Sequence, residues 1–233
     1  MVKTLKDKVA LVTGGSGGIG AAVALRLAKD GAAVAIAYSA SEDAAERTVR
    51  QIREAGGTAD AFNADARKPA ETRAAGAAVA KRFGRIDILV NHAGVSAVAP
   101  LSETTDAEFD RLVDIDLRAA FAAAGAATKA MGEGGRIINI GSVLGESVPW
   151  PGSNFYAMTE FAVAGLPRGW ARDLAAKGIT INAIQPGPIA TDMNADSGDF
   201  ADSLKKSVAL GRYGRPEEVA ELRPSSPAPA PPT

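Results

Sequence analysis

Short apolar runs alternate with longer, Ala-rich stretches along most of the chain, and this alternation predicts its elements. Residues 9–12, 33–38, 58–63, 86–90, 136–140 and 179–184 read as strands, each short and bounded by turn residues. The stretches between them read as helices. Residues 18–30 carry Val23, Leu25 and Leu27 among their apolar positions. Residues 42–55 follow Ser41, a candidate N-cap, and stop at Gly56 and Gly57. Further helices are expected over 69–83, over a long stretch 105–131 that ends at Gly132, and over 154–177. Pro167 falls inside the last of these, where it removes a backbone donor and clashes with the preceding turn. A break or kink is therefore expected there, since an interior proline costs about 3 kcal/mol.

Strands this apolar are buried on both faces, which calls for a parallel sheet with helices on each side. The opening order β-α-β-α-β predicts an α/β fold, a doubly wound parallel sheet in three layers. One domain is expected over residues 1–222. Residues 223–233, Arg-Pro-Ser-Ser-Pro-Ala-Pro-Ala-Pro-Pro-Thr, read as a disordered extended tail.

Composition narrows the chemistry. Basic and acidic residues nearly balance at 26 and 27, so electrostatic capture of nucleic acid or an acidic membrane is not expected. There is no cysteine, which excludes disulfides and thiolate metal sites, and the single histidine, His92, rules out a multi-His cluster; no metal is expected. The first residues lack the apolar core of a signal peptide, and no apolar run approaches the roughly 18 residues of a membrane span. A soluble cytoplasmic protein is the expectation.

The most informative segment is Thr13-Gly14-Gly15-Ser16-Gly17-Gly18-Ile19-Gly20, set between the first strand and the first helix. Glycine lets the backbone turn tightly and lets a pyrophosphate approach without a Cβ in the way. The helix that follows aims free N–H groups and its positive end at the phosphates. The strand–turn–helix context makes this a dinucleotide site on a Rossmann-type sheet. Gly14, Ser16, Gly17, Gly18, Ile19 and Gly20 are the expected contacts.

The spacing of this turn, longer than the common G-x-G-x-x-G, resembles the TGxxxGxG of the short-chain dehydrogenase/reductase family. The resemblance continues along almost the whole chain and reaches its 3-oxoacyl-carrier-protein-reductase-like branch. Asp65, with Ala66 beside it, stands after the third strand, where the family has an acid at the adenine. Asn91-His92-Ala93-Gly94 resembles the family's NNAG; it implies cofactor contacts from Asn91, Ala93 and Gly94. Ser142 follows the fifth strand. Tyr156 to Glu160 stands where the family has YxxxK. Gln185-Pro186-Gly187-Pro188-Ile189, with Thr191, resembles its turn over the nicotinamide, implying contacts from Pro186, Gly187, Ile189 and Thr191.

The resemblance implies hydride transfer between nicotinamide and a carbonyl or alcohol carbon of a small molecule. Ser142 would hold the substrate oxygen. Tyr156 would be the acid in reduction and the base in oxidation. A free tyrosine, with pKa about 10, must drop by about three units to work near neutrality, or roughly 4 kcal/mol. In the family a lysine one helical turn on supplies most of this and also holds the ribose. Here that position is Glu160, whose charge acts in the opposite sense. Two unit charges about 4 Å apart interact by roughly 4 kcal/mol at an effective dielectric of about 20, comparable with the whole shift required. Glu160 can still accept hydrogen bonds from ribose hydroxyls, so binding and proton transfer separate. Asp116 is a second departure, at a position where the family commonly has asparagine. A third is the end of the chain, since the family's sequences continue into another helix and a last strand that this sequence is expected to lack, through truncation or a frameshift. The family's homo-dimeric or tetrameric assembly is thereby in question.

Tyr38 and Ser39 end the second strand where NAD-preferring relatives place an acid. Small hydroxyls leave room for a 2′-phosphate, so NADP is favoured over NAD. The segment from about Ala190 to Tyr213 is expected to lie over the substrate, and its acidic residues read as a solvated face. Three readings stand at this point: a working reductase, an inactive dinucleotide binder, and a damaged product.

Overall fold

The computed structural model describes residues 4–221. Its sheet has six parallel strands: β1 (Val9–Thr13), β2 (Ala33–Tyr38), β3 (Thr58–Asn63), β4 (Ile88–Asn91), β5 (Arg136–Ile140) and β6 (Thr180–Ile184). Their order is β3-β2-β1-β4-β5-β6. The chain winds outward from β1 through β2 to β3, then crosses to the other side of β1 for β4, β5 and β6. The direction of winding reverses between β1 and β4, and a crevice opens at their carboxyl ends. In register, Val12 lies between Ile36 on β2 and Val90 on β4.

Both faces of the sheet are covered, which is why the inner strands β1, β2 and β4 lack a polar alternation, while the edge strands β3 and β6 carry Asp60 and Asn182. On one face Ala10, Val12, Val34, Ile36, Ile88 and Val90 pack with Leu27 of α1 (Gly18–Lys29) and Val49 and Ile52 of α2 (Glu42–Glu54). On the other, Leu11, Ala35, Leu89 and Ile137 meet Val79 of α3 (Pro69–Phe83). Ala123 and Ala127 of a later helix join that layer. The expected doubly wound, three-layer α/β architecture is what forms.

The long helix expected over 105–131 is three consecutive pieces. A Thr105 capping box starts α4 (Asp106–Leu112): the Thr105 hydroxyl accepts from the Glu108 N–H at 3.3 Å. A π-helical turn, Val113–Arg118, follows, and α5 (Ala119–Ala130) completes the run. Helix α6 (Asn154–Leu174) then passes through Pro167 unbroken, against expectation. The reason lies on either side of the proline. Ala157, Thr159, Glu160 and Val163 are buried before it, and Trp170, Ala171 and Leu174 pack on the core after it. Tertiary packing holds both halves and outweighs the local penalty. A 3-10 turn, Ala175–Lys177, then closes on Gly178 at φ +65°. Ser41 does stand at the N-cap of α2, but its side chain makes no capping bond.

Two short helices follow β6: α7 (Asp199–Lys205) and α8 (Pro216–Ala220). Arg26 of α1 pairs with both Asp30 and Glu221, tying the segment after α8 to the first helix. Among the described residues β6 is an edge of the sheet. The expected tail, 223–233, lies outside the described residues.

Candidate cofactor and active site

The glycine turn is held from below. The Thr13 hydroxyl accepts from the backbone N–H groups of His92 and Ala93, at 3.1 and 3.2 Å, and so joins the ends of β1 and β4. Gly14 turns at φ +66° and Gly18 at φ +52°, a left-handed backbone that a side chain would strain. At Gly20 a Cβ would collide with the Gly14 carbonyl oxygen and come within 2.7 Å of His92 Nδ1. At Gly17 it would meet nothing, so the outer side of the turn is open where the inner side is closed. The first turn of α1 contains no acidic residue. An anion approaching its N–H groups therefore meets no competing side-chain charge. Turn and helix together fit a pyrophosphate.

His92 is a structural part of this arrangement. Its Nδ1 lies 3.2 Å from the Gly14 carbonyl oxygen. Burial pulls its pKa below the ordinary value, so the ring is neutral at pH 7. Asn91 is also turned inward: its amide donates to Asn139 Oδ1 at 2.9 Å across β4 and β5. Gly94 stands before Val95, whose N–H donates to the Asp116 carboxylate.

The carboxyl ends of β2 and β3 form the far side of the crevice. Tyr38 is buried, and its hydroxyl is pushed up in pKa by burial and then by Glu42. Ser39 is exposed, and its carbonyl accepts from Asn63 Nδ2 at 2.8 Å. Asp65 forms a fork with Arg67, with contacts of 2.7 to 3.1 Å, and this guanidinium holds its carboxyl below the usual range. Ala66 lies between them, half-buried.

The proton-transfer residues come together at the ends of β5 and α6. Ser142 caps a 3-10 turn, where its hydroxyl accepts from Leu144 N–H at 3.2 Å. One turn of α6 separates Tyr156 from Glu160, so both face the same way. Tyr156 faces Ser142 and the Glu160 carboxyl, and its pKa is raised. Burial is the larger cause, and the Glu160 charge adds to it; the Ser142 hydroxyl acts in the opposite sense. Glu160 is 7% exposed. Burial pushes its own pKa up to about 7, against the pull of Tyr156 and the Ser142 N–H.

Asp116 arrives from the π-helical turn and is also buried. Its two oxygens are engaged. Oδ1 accepts from Val95 N–H at 2.9 Å, and Oδ2 accepts from the Thr159 hydroxyl at 2.8 Å. Burial still lifts its pKa to about 6. Two carboxyl groups thus stand in the proton-transfer region with no lysine among the groups acting on them.

The loop after β6 covers the crevice. Val143 N–H donates to the Pro186 carbonyl at 2.9 Å. Ile189 bridges to Gly214, and Asn194 Nδ2 donates to the Ile189 carbonyl at 3.2 Å. Thr191 faces the phosphate turn: a Cβ on Gly18 would lie 3.2 Å from Thr191 Cγ2. Gly187 is exposed on this loop. Phe200 of α7 packs edge-on to Trp150 at 6.5 Å, which brings the acidic segment against the loop before α6.

Two residues of this region were not singled out in the sequence. Thr159 is one, and its position beside Tyr156 and Glu160 on the helix was the available signal. Gln185 is the other. It follows β6, and its side chain lies against Gly141 just past the end of β5.

A family model for short chain dehydrogenase matches residues 8–202. The cyclic-di-GMP-binding biofilm dispersal mediator protein of Escherichia coli (strain K12) is 43% identical over 215 residues, covering 92% of this chain and 87% of that protein. The 3-oxoacyl-(acyl-carrier-protein) reductase of Staphylococcus epidermidis is 38% identical over 217 residues, covering 92% and 88%. A short chain dehydrogenase from Burkholderia cenocepacia J2315, solved in complex with NADP, aligns with a TM-score of 0.92 at 44% identity, covering 94% of this chain and 89% of that one. With the doubly wound sheet, the glycine turn and these relatives in agreement, the chain belongs to the short-chain dehydrogenase/reductase family of oxidoreductases.

Proposed function

We propose that this chain binds NADP(H) on the Gly14–Gly20 turn and retains the oxidoreductase site of its family with proton transfer held back by Glu160. The cofactor, when bound, supplies or accepts the hydride. Gly14, Ser16, Gly17, Gly18, Ile19 and Gly20 hold its phosphates. Tyr38, Ser39, Asp65 and Ala66 flank the adenosine end, and the absence of an acid at Ser39 suits a 2′-phosphate. Asn91, Ala93 and Gly94 line the floor, while Pro186, Gly187, Ile189 and Thr191 form the cover. Glu160, with Tyr156, accepts from the ribose hydroxyls. Ser142 orients the oxygen of a small carbonyl or alcohol substrate, and Tyr156 gives or takes the proton there. The setting is cytoplasmic.

One observation carries the restraint: Tyr156 has a raised pKa, with burial and the Glu160 charge as its two main causes. A phenol in that state is a weaker acid toward the substrate oxygen, and its phenoxide form is scarce near neutral pH. Proton transfer is therefore impaired in reduction and oxidation alike. Asp116 adds a smaller charge effect in the same direction.

A second reading is a nucleotide-binding protein without turnover. It draws on the same Glu160, and on likeness to a relative named for binding cyclic-di-GMP and mediating biofilm dispersal. Two measurements separate the readings. Fluorescence titration with NADPH reports occupancy, and Glu160→Lys is assayed beside the parent for carbonyl reduction. The first reading expects binding in both and about a hundredfold gain in turnover on substitution, as a reversal of charge worth a few kcal/mol implies. Equal, rapid turnover in both would overturn the account of Glu160. Binding without turnover in either would favour the second reading, and no binding in either would sink both.

A further inference from the structure

Three buried polar atoms of Glu160 and Gln185 have no hydrogen-bond partner among the described residues: Glu160 Oε2, Gln185 Oε1 and Gln185 Nε2. They lie at one place. A Cβ built on Gly141 would collide with Gln185 Oε1 and come within 2.9 Å of Glu160 Oε2. A Cβ on Gly145 would lie 2.6 Å from Gln185 Nε2 and 2.7 Å from the Glu160 carbonyl oxygen. Two glycines thus bracket the Gln185 carboxamide, and the space that side chains would fill is shared by the amide and the carboxyl of Glu160. Leaving three such atoms unpaired in the interior is costly, since each loses its hydration without replacement. A carboxamide has both donor and acceptor, and a half-turn about its terminal torsion exchanges the two ends, which brings the N–H group to the Glu160 Oε2 side.

We propose that Gln185 is a positioning residue for the active site: its carboxamide N–H donates to Glu160 Oε2, fixing the carboxylate beside Tyr156. The Glu160 carboxyl then has Tyr156 and the Ser142 N–H near it from α6 and the end of β5. Asp116 faces it from the π-helical turn, and Gln185 from the end of β6. No basic side chain is among the groups that act on it. A donor to the ionised oxygen favours the charged form. Gln185 therefore prolongs the negative charge that restrains Tyr156. This consequence for catalysis rests on the reading of Glu160 given above; the pairing itself does not.

The test is a carboxyl titration on the full chain without cofactor. Glutamate labelled with 13C at the side-chain carboxyl is followed by NMR across the pH range, and the Glu160 resonance is identified by its loss in Glu160→Gln. The parent is expected to titrate well above the exposed glutamates. In Gln185→Leu, which removes the donor, the midpoint is expected to rise by about one pH unit, the worth of a hydrogen bond to a charged group. In Gln185→Glu it rises further, because a second carboxyl replaces the donor. If Gln185→Leu does not fold, Gln185→Asn keeps the amide but shortens its reach, and it too is expected to raise the midpoint. A midpoint that is unchanged or lowered in these variants overturns the pairing. So does a parent Glu160 that titrates with the exposed glutamates. Failure of NADPH binding or turnover moves none of these signals, so the oxidoreductase reading and the pairing fall separately.

Discussion

Glu160 joins two properties in one side chain: it faces Tyr156, and it is buried with its pKa raised to about 7. The second has a consequence for stability. An unfolded Glu has released its proton by about pH 4.5, while the folded Glu160 keeps it to about 7. Between these values the native state binds more protons than the unfolded chain, so its stability falls as pH rises through the window. Asp116, lifted to about 6, acts in the same direction. Replacing Glu160 by Gln removes the larger of these two contributions. Urea unfolding at slightly alkaline pH should show Glu160→Gln more stable than the parent by roughly 1–3 kcal/mol, with the difference shrinking toward acid pH. A difference that grew toward acid pH would contradict the burial of an uncompensated carboxyl. At this scale the sequence was legible where charge alone decided the matter. The inverted sign at Glu160 was visible in a single letter. The inward turn of Asn91 onto Asn139 was not, because it depends on which strand lies next to β4.

At the scale of elements, Pro167 is the clearest case of packing outweighing propensity. Helix α6 carries Tyr156 and Glu160 in its first half and core-packing Trp170 and Leu174 in its second. Pro167 lies between these, at a position with no backbone donor to give. Pro167→Ala should therefore raise the thermal midpoint and add about 1–3 kcal/mol in denaturant unfolding, provided no steric cost offsets the restored bond. A loss of stability would show that the helix has adapted its axis to the proline. The π-helical turn at Val113–Arg118 was likewise hidden, since apolar spacing over 105–131 fits a continuous α-helix. What it achieves is visible only in three dimensions: it brings Asp116 to Val95 and Thr159, residues from two other segments. The strands, by contrast, were legible almost to the residue, because each is a short segment rich in apolar residues and bounded by turn residues.

For the whole molecule, the joined sheet and crevice predict a ligand linkage. NADPH that binds the folded chain alone should raise its stability by about 2.7 kcal/mol at a concentration a hundred times the dissociation constant. Differential scanning fluorimetry would read this as an upward shift of the midpoint, and Gly20→Ala should lose the shift, because its Cβ collides with the Gly14 carbonyl. A shift that survives in Gly20→Ala would place the ligand elsewhere. The general site was legible for the same reason as the sheet: a strand, a glycine turn and a helix are contiguous in sequence. The cluster of Gln185 with Gly141 and Gly145 brings together three separate segments and had no such local mark.

The division of labour within the sheet also bears on inheritance. The strands that fill the core lie below, and the groups that could handle a substrate stand on the segments that leave their carboxyl ends. A codon change from Lys to Glu at position 160 requires one base, and it leaves the packing of the strands untouched. A single base change can therefore alter the charge in a site of this kind without disturbing the molecule that bears it, and a single reversal can restore it.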